Sequence, residues 1–287
     1  MLEFTKILIY TSFVLNIACG VWVFFGIIGW GRGPRHNRFS ALLPRCKETA
    51  MILKGGTRYY DTPVGVLCLD SLFPKPRGHL RNPLTFGFPV VTRVITGVDV
   101  PRLLFNPTPD LLEPFVQAAR ADGVRAVTGS CGFMARFQGQ IARELKVPVL
   151  LSSLVQLPLL RLLHGENAVI GVLTASAAAL TPELFAACAS KRDAVRIQGM
   201  DEQPEFRETI LENKRHDFDL DRLEQEIVGT AKAFARTQAL DALLLECTDL
   251  SAFAEPVQKA TGIPVYDICG LVEYAAYAVC RRKWDQR

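Results

Sequence analysis

The sequence predicts an α/β protein with mainly parallel sheets and a pseudo-symmetric pair of half-sites. One observation is that short apolar runs alternate with helical patterns from Pro63 onward, which is typical of parallel sheets. The other is a local pattern that occurs twice: a buried strand, a cysteine, a helix and a second strand. Its cysteines are Cys131 and Cys247, and a proline follows each one 17 residues later, at Pro148 and Pro264.

The first copy of the pattern has four predicted strands. Their apolar runs are 64–70, 88–95, 124–128 and 147–152. Prolines, glycine and asparagine between the first two strands predict a loop at 71–87. Thr108-Pro109-Asp110 predicts the start of a helix, because a threonine cap followed by proline at the first helical position is favoured. Another helix is predicted directly after Cys131, with its apolar residues on one face.

The second copy repeats this order. Apolar runs predict strands at 168–174, 242–246 and 263–267. Helices are predicted from Thr181-Pro182, over 219–237, after Cys247 and over 271–280. Pro256 is awkward inside a continuous helix, so a single turn at 249–254 is expected before the helix proper.

Composition excludes several classes of protein. Residues 1–58 hold eight Lys or Arg and two Asp or Glu, so the remainder of this chain of net charge +4 is slightly acidic. No basic stripe for nucleic acid is visible there. The eight cysteines lack the close spacing of zinc sites, and the chain is too large for a disulfide scaffold, so free thiols and no bound metal are expected.

An uncharged apolar run extends from Ile7 to Trp30 and is long enough to cross a bilayer. Arginines and lysine follow it, which predicts a cytoplasmic catalytic domain anchored through residues 7–30. The alternative is a misplaced start codon, with translation beginning at Met51. In that case the protein is cytoplasmic without an anchor, and the sequence decides neither this point nor the oligomeric state, for which a homo-oligomer is one option.

The two cysteines predict acid–base chemistry at a carbon atom. Inverting a stereocentre next to a carboxylate needs a base on one face and an acid on the other, and a thiolate and a thiol supply both. Each cysteine lies just ahead of a helix start, where the helix dipole and free N–H groups favour a thiolate and can hold a carboxylate. A single cysteine at a strand end is more often a buried apolar residue, and Cys68, Cys188, Cys269 and Cys280 are expected to be core.

Polar residues at the predicted strand ends complete the candidate site. Asp70 and Ser71 follow the first strand and can orient substrate or accept a proton, although a strand-end cap is the simpler role. Thr174 holds the matching position in the second half. Thr248 and Asp249 follow Cys247, where Asp249 can also cap the helix. Further pocket candidates are Asn82, Gly132 and Phe133, whereas His79 and His164 are expected to be surface or loop histidines.

Four segments, GVLCLDS, TGSCGF, GVLTAS and ECTDL, resemble the aspartate/glutamate/hydantoin racemase superfamily over residues 60–287. Members that act on glutamate have Asp-Ser, Cys-Asn-Thr and Cys-Thr-His at these places. This chain matches at Asp70-Ser71, Cys131 and Cys247-Thr248. It departs at Gly132-Phe133 and Asp249, which argues against glutamate itself and predicts a smaller polar or acidic substrate.

The resemblance implies a cofactor-independent racemase or epimerase of a small amino acid or carboxylate. It implies two pseudo-symmetric α/β/α lobes with the active site in the cleft between them. The first lobe is residues 59–160 with 266–287, the second is 161–265, and an extension of 1–58 precedes them. The alternatives are an isomerase or decarboxylase of a small dicarboxylate, and a non-catalytic, membrane-tethered protein that binds small acids. Retention of both cysteines argues against the decarboxylase branch that uses one.

Overall fold

A computed structural model describes residues 55–56, 59–60, 62–105, 108–121 and 123–281. The apolar run 7–30 and the extension 1–54 therefore lie outside the described residues, and the predicted membrane anchor is not tested. Within the described ranges, no helix combines the length and the apolar character needed to span a membrane.

The first half of the chain forms a four-stranded parallel sheet. Its strands are β1 (Val64–Leu69), β2 (Val90–Ile95), β3 (Ala126–Gly129) and β4 (Val149–Leu150), in the order β2-β1-β3-β4. The predicted second strand is shortened at its start, because Pro89 has no N–H to donate to a neighbouring strand. The loop 71–87 contains neither helix nor strand, as predicted.

The second half forms an equivalent sheet. Its strands are β5 (Ile170–Thr174), β6 (Arg196–Gly199), β7 (Ala242–Leu245) and β8 (Val265–Tyr266), in the order β6-β5-β7-β8. Because both sheets are parallel and share one strand order, the predicted pair of pseudo-symmetric α/β lobes is confirmed. The strand β6 had no predicted counterpart, since its residues are only partly buried.

Helices flank both sheets. They are α1 (Val100–Phe105), α2 (Leu112–Ala121), α3 (Gln138–Glu144), α4 (Leu157–His164), α5 (Pro182–Ala187), α6 (Pro204–Phe206), α7 (Leu220–Gln238), α8 (Ala254–Thr261) and α9 (Ile268–Val279). A π-helix, Arg207–Leu211, continues α6. Short 3₁₀ helices cover Pro109–Leu111, Gly132–Phe137, Ser153–Gln156, Arg192–Ala194 and Thr248–Phe253.

The turn predicted ahead of Pro256 is present, because the 3₁₀ helix Thr248–Phe253 precedes α8. The first copy has the same feature, since Gly132–Phe137 precedes α3, whereas the sequence predicted an α-helix directly after Cys131. Both cysteines are therefore N-caps of 3₁₀ helices, in extended backbone conformation. The repeated local sequence thus has a repeated local structure.

The final helix packs on the first sheet. Ile268, Val272 and Ala276 of α9 form a buried cluster with residues of β1 that include Val64 and Val66. Asp267 begins this helix by accepting a hydrogen bond from the N–H of Gly270 at 2.8 Å. The chain therefore returns from the second sheet to the first.

Candidate active site

The two cysteines lie at equivalent places, two residues beyond the ends of β3 and β7. In each sheet this strand is hydrogen-bonded to the first strand of its half, β1 or β5. Loops at the carboxyl ends of such central parallel strands are where α/β proteins bind ligands. Cys131 and Cys247 are both buried and both free thiols.

The residues on either side of the cysteines pair crosswise between the two turns. The hydroxyl of Thr248, which follows Cys247, donates to the carbonyl oxygen of Ser130, which precedes Cys131, at 2.5 Å. In the other direction, Gly132 lies against Glu246, because a Cβ built on Gly132 would be 2.0 Å from Glu246 Oε1. The two thiol turns are thus in direct contact.

The surroundings of the two thiols differ. Burial raises the pKa of Cys131, and the charge of Glu246 adds to that, whereas the N–H of Phe133 and the charge of Arg136 lower it. Burial also raises the pKa of Cys247, with further increases from Asp249, Cys131 and Glu246. Cys247 Sγ lies 3.8 Å from Asp249 Oδ2 and can donate to it. Burial and nearby carboxylates thus raise the pKa of both thiols, and the opposing influences are the N–H of Asp249 at Cys247 and, at Cys131, the N–H of Phe133 with the charge of Arg136.

A buried charge cluster surrounds Asp249. Lys75 Nζ lies 3.2 Å and His79 Nε2 lies 3.1 Å from Asp249 Oδ1, although the His79 contact is not aligned as a hydrogen bond. Burial acts to raise the pKa of Asp249, but the charge and hydrogen bond of Lys75, together with the nearby His79 ring, bring this pKa well below its usual range. The carboxylate is therefore ionised, and it joins the loop 71–87 to the turn after Cys247.

His79 corrects one sequence-based expectation. It lies in the loop 71–87, as predicted, but it is only 1% exposed, so the expected surface position is wrong. Its Nδ1 accepts a hydrogen bond from the N–H of Arg81 at 2.9 Å. Burial lowers the pKa of His79, which leaves the ring neutral at pH 7 with its proton on Nε2, toward Asp249.

The polar residues after β1 make other contacts. Asp70 Oδ2 accepts from the N–H of Gly97 at 3.0 Å, beside the end of β2. Ser71 Oγ accepts from Arg81 Nη1 at 2.9 Å, and Asn82 Nδ2 donates to the carbonyl oxygen of Lys75 at 2.7 Å. These bonds shape the loop, and a direct role of these side chains toward substrate stays a prediction.

The remaining candidates lie beside the thiols. Thr174, at the end of β5, donates to Glu246 Oε2 at 2.8 Å, and both residues are fully buried. Phe133 is also buried, and its N–H faces Cys131 while its ring belongs to the core. The hydrogen bond of Thr174 therefore holds Glu246 within the second half, whereas that of Thr248 links the two turns.

Several residues of the site were missed by sequence reasoning. Glu246 directly precedes Cys247, and a glutamate at the end of a fully apolar strand is an unusual buried charge that could have been noticed. Lys75 and Arg136 carry no comparable signal, because their proximity to the thiols depends on how the loop and the 3₁₀ helix pack.

A cavity of about 610 Å³ opens between the two halves. It is lined on one side by Leu104, Phe105 and Arg136 and on the other by residues that include Thr181 and Glu183. Neither cysteine lines the cavity. Arg136, which does line it, interacts with Cys131 through its positive charge.

The chain is similar in sequence to known proteins. Dimethylsulfoniopropionate lyase 6 of Emiliania huxleyi (strain CCMP1516) is 32% identical over 246 residues, which are 80% of this chain and 62% of that protein. The dimethylsulfoniopropionate lyase of Durusdinium sp. clade D is 29% identical over 243 residues, 77% of this chain and 80% of that protein. The chain thus spans about three fifths of the length of the first relative.

Solved structures are matched at low sequence identity. Allantoin racemase from Pseudomonas fluorescens has a TM-score of 0.46 at 16% identity, over 78% of this chain and 100% of that one. The family model described as Asp/Glu/Hydantoin racemase matches residues 107–272, which include both cysteine turns, two strands of the first sheet (β3 and β4) and all four strands of the second. The chain belongs to the Asp/Glu/hydantoin racemase family.

Proposed function

We propose that this protein is a lyase that removes a β-substituent from a small carboxylate, with dimethylsulfoniopropionate as the substrate to test first. The observation that carries the proposal is the identity of about 30% to dimethylsulfoniopropionate lyases over most of this chain. The paired thiol turns support it, because elimination and racemisation both begin with removal of a proton from the α-carbon.

The reaction needs one base. Dimethylsulfoniopropionate carries a carboxylate, an α-carbon and a β-carbon bonded to a dimethylsulfonium group. A Cys131 thiolate takes the α-proton, the C–H electron pair becomes the α,β double bond, and the β-carbon–sulfur bond breaks. Dimethyl sulfide leaves as a neutral molecule and acrylate remains, so the leaving group needs no proton.

The roles of the two thiols follow from their surroundings. Burial and the charges of Glu246 and Asp249 raise the pKa of Cys131, but Arg136 and the N–H of Phe133 favour its thiolate, so we assign Cys131 as the base. Asp249 and Glu246 oppose a thiolate at Cys247, which suits it as a thiol that donates a hydrogen bond to the developing negative charge. The nearby cations Lys75 and Arg136, with the N–H groups of the turns, can hold the substrate carboxylate.

The test is an incubation of the purified full chain with dimethylsulfoniopropionate. Dimethyl sulfide in the headspace is measured by gas chromatography, and acrylate in solution by NMR. We expect both products in equal amounts. No release of either product by folded protein would reject the proposal.

Amino-acid racemisation is the second candidate, because the matched pair of thiols is the arrangement that a two-base inversion needs. A screen of L-amino acids in deuterated water separates the two functions. Exchange of the α-proton together with formation of the D-enantiomer would favour the racemase, whereas a lyase of this kind should leave amino acids unchanged.

A further inference from the structure

Glu246 is a buried carboxyl group with one oxygen unsatisfied. It is 0% exposed, and its Oε2 accepts a hydrogen bond from Thr174 Oγ1 at 2.8 Å. Its Oε1 is also buried and has no hydrogen-bond partner among the described residues. Since a buried charge without full hydrogen bonding is costly, such a group calls for an explanation.

The position of this carboxyl group links it to both thiols. Glu246 directly precedes Cys247 in the chain, and its Oε1 lies against Gly132, the residue that follows Cys131. A Cβ on Gly132 would also be 2.4 Å from the carbonyl oxygen of Glu246. The carboxyl group therefore lies between the two thiol turns.

A negative charge on Glu246 and a negative charge on either thiol repel each other. Two ionised groups a few ångströms apart in a buried site raise one another's cost of ionisation, so their protons are lost as a coupled set. An ionised Glu246 thus disfavours a thiolate at either cysteine, whereas a neutral Glu246 does not.

We propose that Glu246 is a positioning residue that controls the ionisation of the two thiols, suppressing the thiolate when it is charged and permitting it when it is protonated. The inference rests on the proposed function in that the thiolate of Cys131 is the base. It can be tested without substrate. The test can therefore contradict the inference in a protein that has lyase activity, and it can support the inference in a protein that lacks that activity.

The protonation of this carboxyl group depends on its burial and on its hydrogen bond. Burial raises the pKa of Glu246 to about 7, against the opposing hydrogen bond from Thr174. The groups that sense its charge are Cys131, Cys247 and Cys188, which lies at the end of α5. Asp249 adds negative charge near Cys131 and Cys247. Arg136 adds positive charge near Cys131.

The test is the pH dependence of thiol alkylation in wild type and Glu246→Gln. Iodoacetamide reacts with the thiolate, and peptide mass spectrometry reports each cysteine separately, with Cys280 as the internal reference. We expect the midpoints of Cys131 and Cys247 to fall by about one pH unit, which is about tenfold faster alkylation at a fixed pH below the midpoint. Glu205→Gln, which changes a buried glutamate of α6, should leave both midpoints unchanged.

Unchanged midpoints in a folded Glu246→Gln protein would overturn the inference. If that variant does not fold, Thr174→Val provides the same test, because loss of the hydroxyl removes the hydrogen bond that stabilises the Glu246 carboxylate. Glu246 is then protonated over a wider pH range, and alkylation of Cys131 near pH 7 should be faster. Slower or equal alkylation in Thr174→Val would contradict the inference.

Discussion

At the scale of single residues, contact between the two thiol turns depends on the absence of a side chain at Gly132. Gly132 leaves space for Glu246, and any Cβ there would be within 2.0 Å of its Oε1 and 2.4 Å of its carbonyl oxygen. Real side chains do not approach so closely, so the backbone of one turn would have to move. Because Gly132 follows Cys131 directly, such a movement displaces the thiol.

Gly132→Ala should therefore lower both stability and activity. Overpacking of a buried position typically costs about 1–3 kcal/mol of unfolding free energy. Gly139→Ala is the matched control, because that glycine is exposed on α3 and the nearest atom to its Cβ would be 3.6 Å away. Urea unfolding of both variants checks the prediction, and equal stability of Gly132→Ala and wild type would contradict it.

The sequence predicts some site residues and not others for a physical reason. Cys131 and Cys247 are visible because a repeated local pattern marks them. Glu246, Lys75 and His79 are not marked in this way, since their burial and their partners arise when the loop 71–87 packs against the turn after Cys247. Contacts between residues distant in the chain leave no local periodicity.

At the scale of elements, the loop 71–87 is held to the second half by buried charge. Lys75 Nζ contacts Asp249 and also lies 3.1 Å from the centroid of the Phe73 ring. Gly78 packs against the backbone of Ala252, and its carbonyl oxygen accepts a hydrogen bond from Cys269 Sγ at 3.2 Å. An irregular segment is thus fixed beside the thiols by partners on two elements.

Asp249→Asn should destabilise the protein by about 3 kcal/mol at pH 7, because it leaves Lys75 buried without its ionised partner. The pKa of Asp249 is lowered on folding, so its contribution is complete above its ordinary pKa of about 4 and is lost as the pH falls below that value. The stability difference between wild type and Asp249→Asn should therefore shrink from pH 5 to pH 3.

Urea unfolding at several pH values checks this prediction. Asp110→Asn is the control, because Asp110 pairs with Arg102 at an exposed place and its loss should not change stability measurably. A difference that stays constant down to pH 3 would show that the ionisation of Asp249 does not stabilise the loop.

At the scale of the whole molecule, the two halves share one strand order and meet at their thiol turns. Further hydrogen bonds cross between them: Ser153 Oγ donates to the carbonyl oxygen of Leu245 at 2.9 Å, and Gln156 Nε2 donates to that of Asp267 at 2.8 Å. The sequence predicts this architecture well, because buried parallel strands are apolar runs of recognisable length. It predicts the short partly buried strand β6 and the π-helix Arg207–Leu211 poorly, since neither has a distinct pattern.

Global stability should also reflect the buried Glu246. Its pKa is raised from 4.5 to about 7 on folding, so its ionisation costs stability progressively between these two pH values and by a constant amount above them. Relative to wild type, Glu246→Gln should gain about 3 kcal/mol between pH 4.5 and pH 8. Chemical unfolding at both pH values measures this gain. An equal stability difference between Glu246→Gln and wild type at the two pH values would refute the prediction.

The central claim is that a Cys131 thiolate starts an elimination reaction, and the most direct measurement is dimethyl sulfide release by three proteins. Wild type and Cys280→Ser, whose half-buried thiol lies just beyond α9, should release it at the same rate. Cys131→Ser should be slower by about 10²–10⁴-fold, because a serine hydroxyl is far too weak an acid to form the base. Release by Cys131→Ser at the wild-type rate would contradict the account.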